Sequence, residues 1–262
     1  MTSLADYGDK YPSIRMRRED GILEIQFHTN GDSLLWTSAQ HTELELAFLD
    51  ISRDGDNGVI IMTGTGENFS GPAVSEQGHK FVVNGTMNTS QWDRFHWEGR
   101  GLLNNLLSIE VPVISAINGP ALRHAEIPVL ADVVLAAEEA TFQDTAHFAA
   151  GLVPGDGMHI VFPHVMGINR GRYFLLTGQT LSATEAYQMG IVNEILQRDR
   201  LLPRAWDIAR KLMKQSALTR RYTRILLTHE LKQRMHDLLG YGIALEGSAV
   251  SAIAHGDPMG RR

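Results

Sequence analysis

Short, almost continuously apolar stretches put the strongest constraint on the fold of this sequence. They cover residues 59–64, 112–119 and 132–136, and helical patterns occupy residues 38–51 and 90–107 around them. Apolar residues on both sides of a strand indicate a strand that is covered on both faces, which is typical of parallel sheets with helical connections. The pattern therefore predicts an α/β protein with a largely parallel sheet.

The remaining patterns divide the chain into two parts. An antiparallel strand pair is predicted over residues 13–18 and 22–28, ahead of the apolar stretches. After about residue 160 strands fade and helical patterns dominate, over residues 170–177, 183–189 and 203–254. We therefore predict a core over residues 1–200 and a C-terminal helical region over residues 201–262.

Composition limits the classes of function. The 262 residues carry a formal net charge of −6 and show no strongly basic domain, so we do not expect nucleic-acid binding. The absence of cysteine excludes disulfides, zinc–thiolate sites and thiol nucleophiles. No apolar run approaches the roughly 18 residues of a membrane span, and the N-terminus does not look like a secretory signal. We expect a cytoplasmic protein with no membrane partner.

A candidate proton-transfer pair lies in the segment TAHFAAGLVPGDG at residues 145–157. His147 and Asp156 stand nine residues apart, on either side of a Pro-Gly turn. If the chain folds back there, the carboxylate can orient the imidazole so that the ring takes a proton from water, as a hydrolase requires near neutral pH. A core histidine beside a turn-forming aspartate is the alternative reading.

Other motif matches are weaker. Phe69 stands where a dinucleotide fingerprint needs its third glycine, and no His-Glu-x-x-His zinc motif occurs among the eleven histidines, so we expect no nucleotide or metal site. Residues 31–34 read GDSL, and Asp144 with His147 gives the Asp-x-x-His of a serine esterase family. In that family this second motif lies near the C-terminus, whereas over a hundred residues follow His147 here.

Several ordered blocks resemble the crotonase (enoyl-CoA hydratase/isomerase) superfamily over nearly the whole chain. The blocks are VIIMTGTGENFS at 59–70, VISAINGPAL at 113–122, DVVLAAEEATF at 132–142, GLVPG at 151–155 and RGRYFLLTGQ at 170–179. The resemblance implies a crotonase-like spiral of ββα turns. It also implies a homotrimer or a dimer of trimers, in which the C-terminal helical region supports trimerisation and covers the active site.

Departures from the family pattern argue against hydratase chemistry. Where hydratases have a glycine triplet, this chain reads RHA at 123–125, so His124 stands at the glycine whose backbone N–H would form half of the oxyanion hole. The two hydratase glutamates correspond to Ile127 and His147. The AGAD segment that supplies the other half of the hole reads GPAV at 71–74.

The remaining pattern is similar to the β-diketone hydrolase branch of the superfamily. Matching segments include LWTS at 35–38, HAEIPV at 124–129, VPGDG at 153–157 and LE at 245–246. By position, the resemblance implies an active-site set that consists of Trp36, His124, His147, Asp156 and Glu246. It also implies that Ala73 lies in a segment that contacts substrate.

Such an enzyme would hydrolyse the carbon–carbon bond between two carbonyls to give a keto acid. The expelled carbon leaves as an enolate that delocalises into the second carbonyl, so no metal or organic cofactor is required. We expect His147 to be the base, oriented by Asp156, with Asp156 as the alternative proton acceptor. We expect His124 and Trp36 to donate to the carbonyl oxygens. Glu246 would donate a proton or orient His124.

Two other classes of function stay open at this point. One is a CoA-dependent crotonase, such as a hydratase, an isomerase or a thioesterase that uses Asp156, which would bind an adenine nucleotide analogue. The other is a non-catalytic crotonase-fold protein, for which His147→Ala would change no activity. The natural diketone and the stereoselectivity do not follow from the sequence.

Overall fold

The computed structural model describes residues 2–71, 82–83 and 86–254. Its strands, in chain order, are β1 (Ile14–Glu19), β2 (Ile22–Phe27), β3 (Val59–Gly64), β4 (Val82–Val83), β5 (Thr86–Met87), β6 (Val113–Ile117), β7 (Val133–Ala137), β8 (Thr141–Phe142), β9 (Leu181–Ser182) and β10 (Glu194–Leu196). Its helices, in chain order, are α1 (Leu4–Tyr7), α2 (Ser38–Arg53), α3 (Thr89–Ser108), α4 (Glu126–Val129), α5 (Met158–Met166), α6 (Ile168–Thr177), α7 (Ala183–Gln188), α8 (Arg198–Met213) and α9 (Ala217–Ala254). A short 3₁₀ helix covers Phe148–Ala150.

Six strands form the main sheet, in the order β1-β2-β3-β6-β7-β10. The β1–β2 pair is antiparallel, as predicted, and the other four pairs are parallel. Every residue of β3 and of β6 is buried, which is what the continuous apolar runs predicted. The predicted α/β class with a largely parallel sheet is confirmed.

The main sheet is covered on both faces because alternate residues of its strands point in opposite directions. On β3, Ile60 and Met62 belong to the larger apolar cluster, which also takes in residues of α2, α3 and α9. Val59 and Ile61 belong to a second cluster, in which Trp206 and its neighbours on α8 pack. Helix α8 therefore completes the core of the sheet, although it follows all ten described strands in the chain.

Two features of the later chain differ from the sequence pattern. Strands β9 and β10 both follow residue 160, and β10 extends the main sheet beside β7. Its residues are half-buried, so it lacks an apolar run; Asn193 fixes it through two hydrogen bonds to the backbone of Val134, of 2.7 and 2.8 Å. The helix predicted over 203–254 is two helices, because Ser216 caps a new one by accepting the Thr219 N–H at 3.1 Å.

Helix α9 is anchored near its start by a buried arginine. The Arg224 Nε donates to Asp132 Oδ2 at 2.6 Å, and that oxygen also accepts the Val113 N–H at 2.7 Å. The contact ties the start of the helix to the start of β6, and Met235, Leu239 and Ile243 further along α9 pack into the larger apolar cluster. Although α9 has 38 residues, no helix in the described ranges combines the length and apolar character needed to cross a membrane.

Candidate active site

The chain between β8 and α5 folds back on itself and brings His147 beside Asp156. It turns through the 3₁₀ helix, through Gly151 with a φ of 83°, and through Pro154 before α5 begins. His147 Nε2 lies 3.3 Å from Asp156 Oδ2. Each of the two residues is 4% exposed, so their contact is shielded from solvent. The structure thus places them as a buried acid–imidazole pair.

The other ring nitrogen of His147 meets a carboxylate that the sequence analysis did not include in the site. Asp144 Oδ1 lies 2.7 Å from His147 Nδ1 and also accepts the Ala146 N–H at 3.2 Å. We expected Asp156 alone to orient the imidazole, but both ring nitrogens face carboxylates. The Asp-x-x-His spacing, which we attributed to a different esterase family, was the signal that could have identified Asp144.

His124 forms a second carboxylate–imidazole pair beside the first. Its Nδ1 lies 2.7 Å from Glu126 Oε1 and 3.6 Å from Asp156 Oδ2, while its Nε2 lies 3.1 Å from His41 Nε2. The backbone of His124 has a φ of 51°, a conformation that is uncommon for residues other than glycine. The active-site set that we predicted from the sequence contains neither Glu126 nor His41, because neither matches a catalytic motif.

Trp36 packs over the ring of His124. The two ring centroids are 4.1 Å apart, and Trp36 is 3% exposed. Its indole Nε1 is buried and has no hydrogen-bond partner among the described residues. A buried N–H without an acceptor is costly, so this donor is available to an oxygen of a bound molecule.

Glu246 reaches the site from α9. Its Oε1 lies 3.9 Å from His147 Nε2, and the residue is 4% exposed. One turn earlier, a Cβ added at Gly242 would lie 2.5 Å from the backbone oxygen of Gly155 and would overlap the ring of His159. The close approach of two backbones therefore determines how near Glu246 comes to His147.

Replacing Gly242 by Ala is therefore expected to move α9 away from the site and to lower kcat about tenfold, since small displacements of catalytic groups are costly. The matched control is Gly240→Ala on the same helix, where the added Cβ would meet Arg100 Cδ at an ordinary 3.6 Å. Turnover and thermal unfolding of both variants would be compared. Equal activity of the two variants would contradict the positioning role of Gly242.

The ionisable groups of the site have strongly shifted pKa values. Burial, together with the nearby charge of Asp156, raises the pKa of Glu246 to about 8. Burial also raises the pKa of Glu126. Burial opposes ionisation of Asp156 as well, but His147 outweighs it and holds the pKa of Asp156 well below its usual range. At neutral pH, Asp156 is therefore an anion and Glu246 is a neutral acid.

Other polar atoms of the site are also buried without a hydrogen-bond partner among the described residues. Besides the Trp36 indole nitrogen, these atoms are Glu126 Oε2, Asp144 Oδ2, Asp156 Oδ1 and Glu246 Oε2. Buried polar groups are rarely left unpaired in folded proteins. Several of them gathered in one place indicate a site that is completed by a polar ligand and water.

Three side chains of the site could also hold a cation. The ligand atoms of His124, Glu126 and Asp156 lie within 4.8 Å of one another. In the structure, His124 Nδ1 and Glu126 Oε1 are instead engaged in their 2.7 Å hydrogen bond. Our expectation of no metal site stays a prediction.

Comparison with known proteins places the chain in a family. The profile described as enoyl-CoA hydratase/isomerase matches residues 17–250. The chain belongs to this family. Its curated relatives include the short-chain-enoyl-CoA hydratase of Clostridium acetobutylicum, 25% identical over 83% of this chain and 81% of the relative. A second is the 4-chlorobenzoyl coenzyme A dehalogenase-2 of an Arthrobacter species, 28% identical over 76% of this chain and 71% of the relative.

Solved structures of the crotonase family superpose on nearly the whole chain. A β-diketone hydrolase from the cyanobacterium Anabaena sp. PCC 7120, bound to (S)-3-oxocyclohexyl acetic acid, has a TM-score of 0.89 and 46% identity, and the match covers 95% of this chain and 98% of the other. An enoyl-CoA hydratase/isomerase from Mycobacterium paratuberculosis has a TM-score of 0.83 and 21% identity, with coverage of 94% and 97%, and supports the fold. This chain is therefore a crotonase-superfamily enzyme.

In this chain, Gly71 begins the segment that stands in place of AGAD, and its backbone amide already forms a hydrogen bond. The Gly71 N–H donates to the Leu34 carbonyl oxygen at 3.0 Å. Our expectation that His124 stands in the other half of the family's oxyanion hole stays a prediction. Ala73, the other substrate-contacting position that we predicted, lies outside the described residues.

Proposed function

We propose that this chain is a β-diketone hydrolase, which cleaves a carbon–carbon bond of a cyclic 1,3-diketone by a retro-Claisen reaction and releases a keto acid. The observation that carries the proposal is the group of Trp36, His147 and Asp156, all three buried, with the ring of His124 packed 4.1 Å from that of Trp36. The 46% identity to a β-diketone hydrolase supports it. The keto acid bound to that protein is a product of the expected chemical class.

The proposed site divides the work between two sides. On one side, the Trp36 indole N–H and a ring N–H of His124 bind the two carbonyl oxygens and stabilise the negative charge that develops on them. On the other side, the His147–Asp156 pair takes a proton from water as the water oxygen attacks one carbonyl carbon. The tetrahedral alkoxide then collapses, and the electron pair of the broken bond goes to the enolate.

Glu246 is proposed to act as a neutral acid in this reaction. Burial raises its pKa to about 8, so it carries a proton at neutral pH. With Oε1 at 3.9 Å from His147 Nε2, it faces the proton-transfer pair rather than His124. This placement favours a role as a proton donor near the reacting carbons over a role in orienting His124.

The proposed reaction uses the second carbonyl of the substrate as its electron sink, so we propose that it needs neither metal nor CoA. We also propose that the chain assembles as a trimer or a dimer of trimers. Exposed apolar side chains on α9, such as Leu226 at 76% and Leu227 at 70%, support burial against another copy. The cytoplasmic location and the division at residue 200 stay predictions.

The deciding experiment is a panel of monocyclic and bicyclic 1,3-diketones, followed by the loss of enol absorbance and by identification of the keto acid. We expect turnover without added CoA, and unchanged turnover after treatment with a chelator. Crotonyl-CoA and other enoyl-CoA thioesters serve as the comparison substrates. Hydration of a thioester, with no cleavage of any diketone, would replace this proposal by the CoA-dependent function that the curated relatives carry.

A further inference from the structure

We infer that Asp144 is a positioning residue that keeps His147 as an imidazolium, and that Asp156 is consequently the group that takes the proton from water. That Asp156 takes the proton from water rests on the proposed function. That Asp144 keeps His147 charged holds for any reaction at this site.

The geometry around His147 supports the charged form. Nδ1 lies 2.7 Å from Asp144 Oδ1, and Nε2 lies 3.3 Å from Asp156 Oδ2. A neutral imidazole has a single N–H, so one nitrogen would turn its lone pair toward a buried carboxylate. An imidazolium donates from both nitrogens and satisfies both carboxylates.

Electrostatics agree with this geometry. Burial by itself would lower the pKa of His147, but Asp156 and Asp144 outweigh it and raise the pKa well above the usual value of 6.5. Charged or titratable groups from the surrounding elements also act on the pair. They are His41 on α2, His124 and Glu126 at α4, His159 on α5 and Glu246 on α9. The contact with Nδ1 itself is made by Asp144.

The backbone holds Asp144 in place for this contact. Its Oδ1 accepts the Ala146 N–H at 3.2 Å, and the next residue, Thr145, donates its hydroxyl to the Leu122 carbonyl oxygen at 2.5 Å. The turn that carries Asp144 is therefore tied to the loop between β6 and α4, two residues before His124. This tether fixes the ring of His147 so that Nε2 faces Asp156.

An imidazolium has no lone pair with which to accept a proton, so the base must be a different atom. Asp156 Oδ1 is buried and has no hydrogen-bond partner among the described residues. Water gives its proton to this oxygen while the water oxygen bonds to the carbonyl carbon. The carbon–carbon bond then breaks, its electron pair forms the enolate, and the neutral acid Glu246 gives its proton to the enolate carbon. The proton on Asp156 then restores Glu246, the keto acid leaves, and His147 keeps its charge throughout.

The test is nuclear magnetic resonance of the full chain labelled with ¹⁵N in its histidine rings, with the His147 signals assigned from His147→Gln. We expect both ring nitrogens of His147 to be protonated at pH 7 in the unaltered protein. In Asp144→Asn, we expect the midpoint of the His147 titration to fall by at least about one pH unit, because a neighbouring negative charge is lost. Glu126→Gln, which alters the partner of the other histidine, is expected to leave His147 protonated.

Kinetics give a second readout. In Asp144→Asn we expect kcat to fall about 10- to 100-fold with a small change in KM, and activity to decrease as the pH rises from 6 to 8 because His147 now loses its proton there. A neutral His147 in the unaltered protein at pH 7, or an unchanged titration in Asp144→Asn, would overturn the inference. If the ring is charged but no diketone is cleaved, the proposed function fails while the role of Asp144 in charging His147 stands.

Discussion

Asp156→Asn is expected to lower kcat for diketone hydrolysis by about 1000-fold, within the range that general acid–base groups contribute. The carboxamide cannot accept a proton from water, and it replaces the anion whose oxygen lies 3.3 Å from His147 Nε2. KM should change little, because the carbonyl oxygens are bound by other groups. The measurement is steady-state kinetics on the best diketone of the panel, together with a thermal melt of the variant.

The control for this variant is Asp237→Asn, the same change at an exposed position of α9. The thermal melt matters because Asp156 also affects stability. Its pKa is depressed in the folded protein, so its charge stabilises the fold above about pH 4 and that contribution disappears as the pH falls. A loss of activity in a protein that is still folded at the assay temperature is the expected result. Activity within tenfold of the unaltered protein would transfer the base role to another group.

The sequence predicted those parts of the fold that local pattern determines. β3 and β6 are apolar on both faces, and buried strands of this kind leave a clear trace in the sequence. β10 leaves none, because its three residues are half-buried and its place in the sheet depends on hydrogen bonds from Asn193 to β7. A strand that is fixed by distant contacts cannot be recognised from its own residues.

The same distinction applies to the site. The pair of His147 and Asp156 could be predicted because one short loop carries both residues. Asp144 lies in that loop too, and we overlooked it because its motif is known from another family. The approach of Glu246 depends on Gly242 meeting Gly155, a contact between parts of the chain that are far apart in sequence. Resemblance predicted Glu246, but no local pattern could have given its distance from His147.

Trp36→Phe is expected to lower kcat by about 100- to 1000-fold, the usual loss when a donor to a developing oxyanion is removed. Phenylalanine keeps an aromatic ring over His124, whose centroid lies 4.1 Å from that of Trp36, and deletes the indole N–H. The control is Trp97→Phe on α3, where the side chain is 72% exposed. Kinetics on a diketone and a thermal melt would be measured for both.

The division of the loss between kcat and KM shows what the indole does. A donor that acts mainly on the transition state, where charge on the carbonyl oxygen is largest, lowers kcat and leaves KM nearly unchanged. If Trp36 merely shapes the pocket, Phe should raise KM and leave kcat close to normal. That second outcome would assign the carbonyl oxygen to His124 alone. His124 would then have to stabilise the alkoxide while hydrogen-bonded to Glu126, and Glu126→Gln should lower kcat more than Trp36→Phe does.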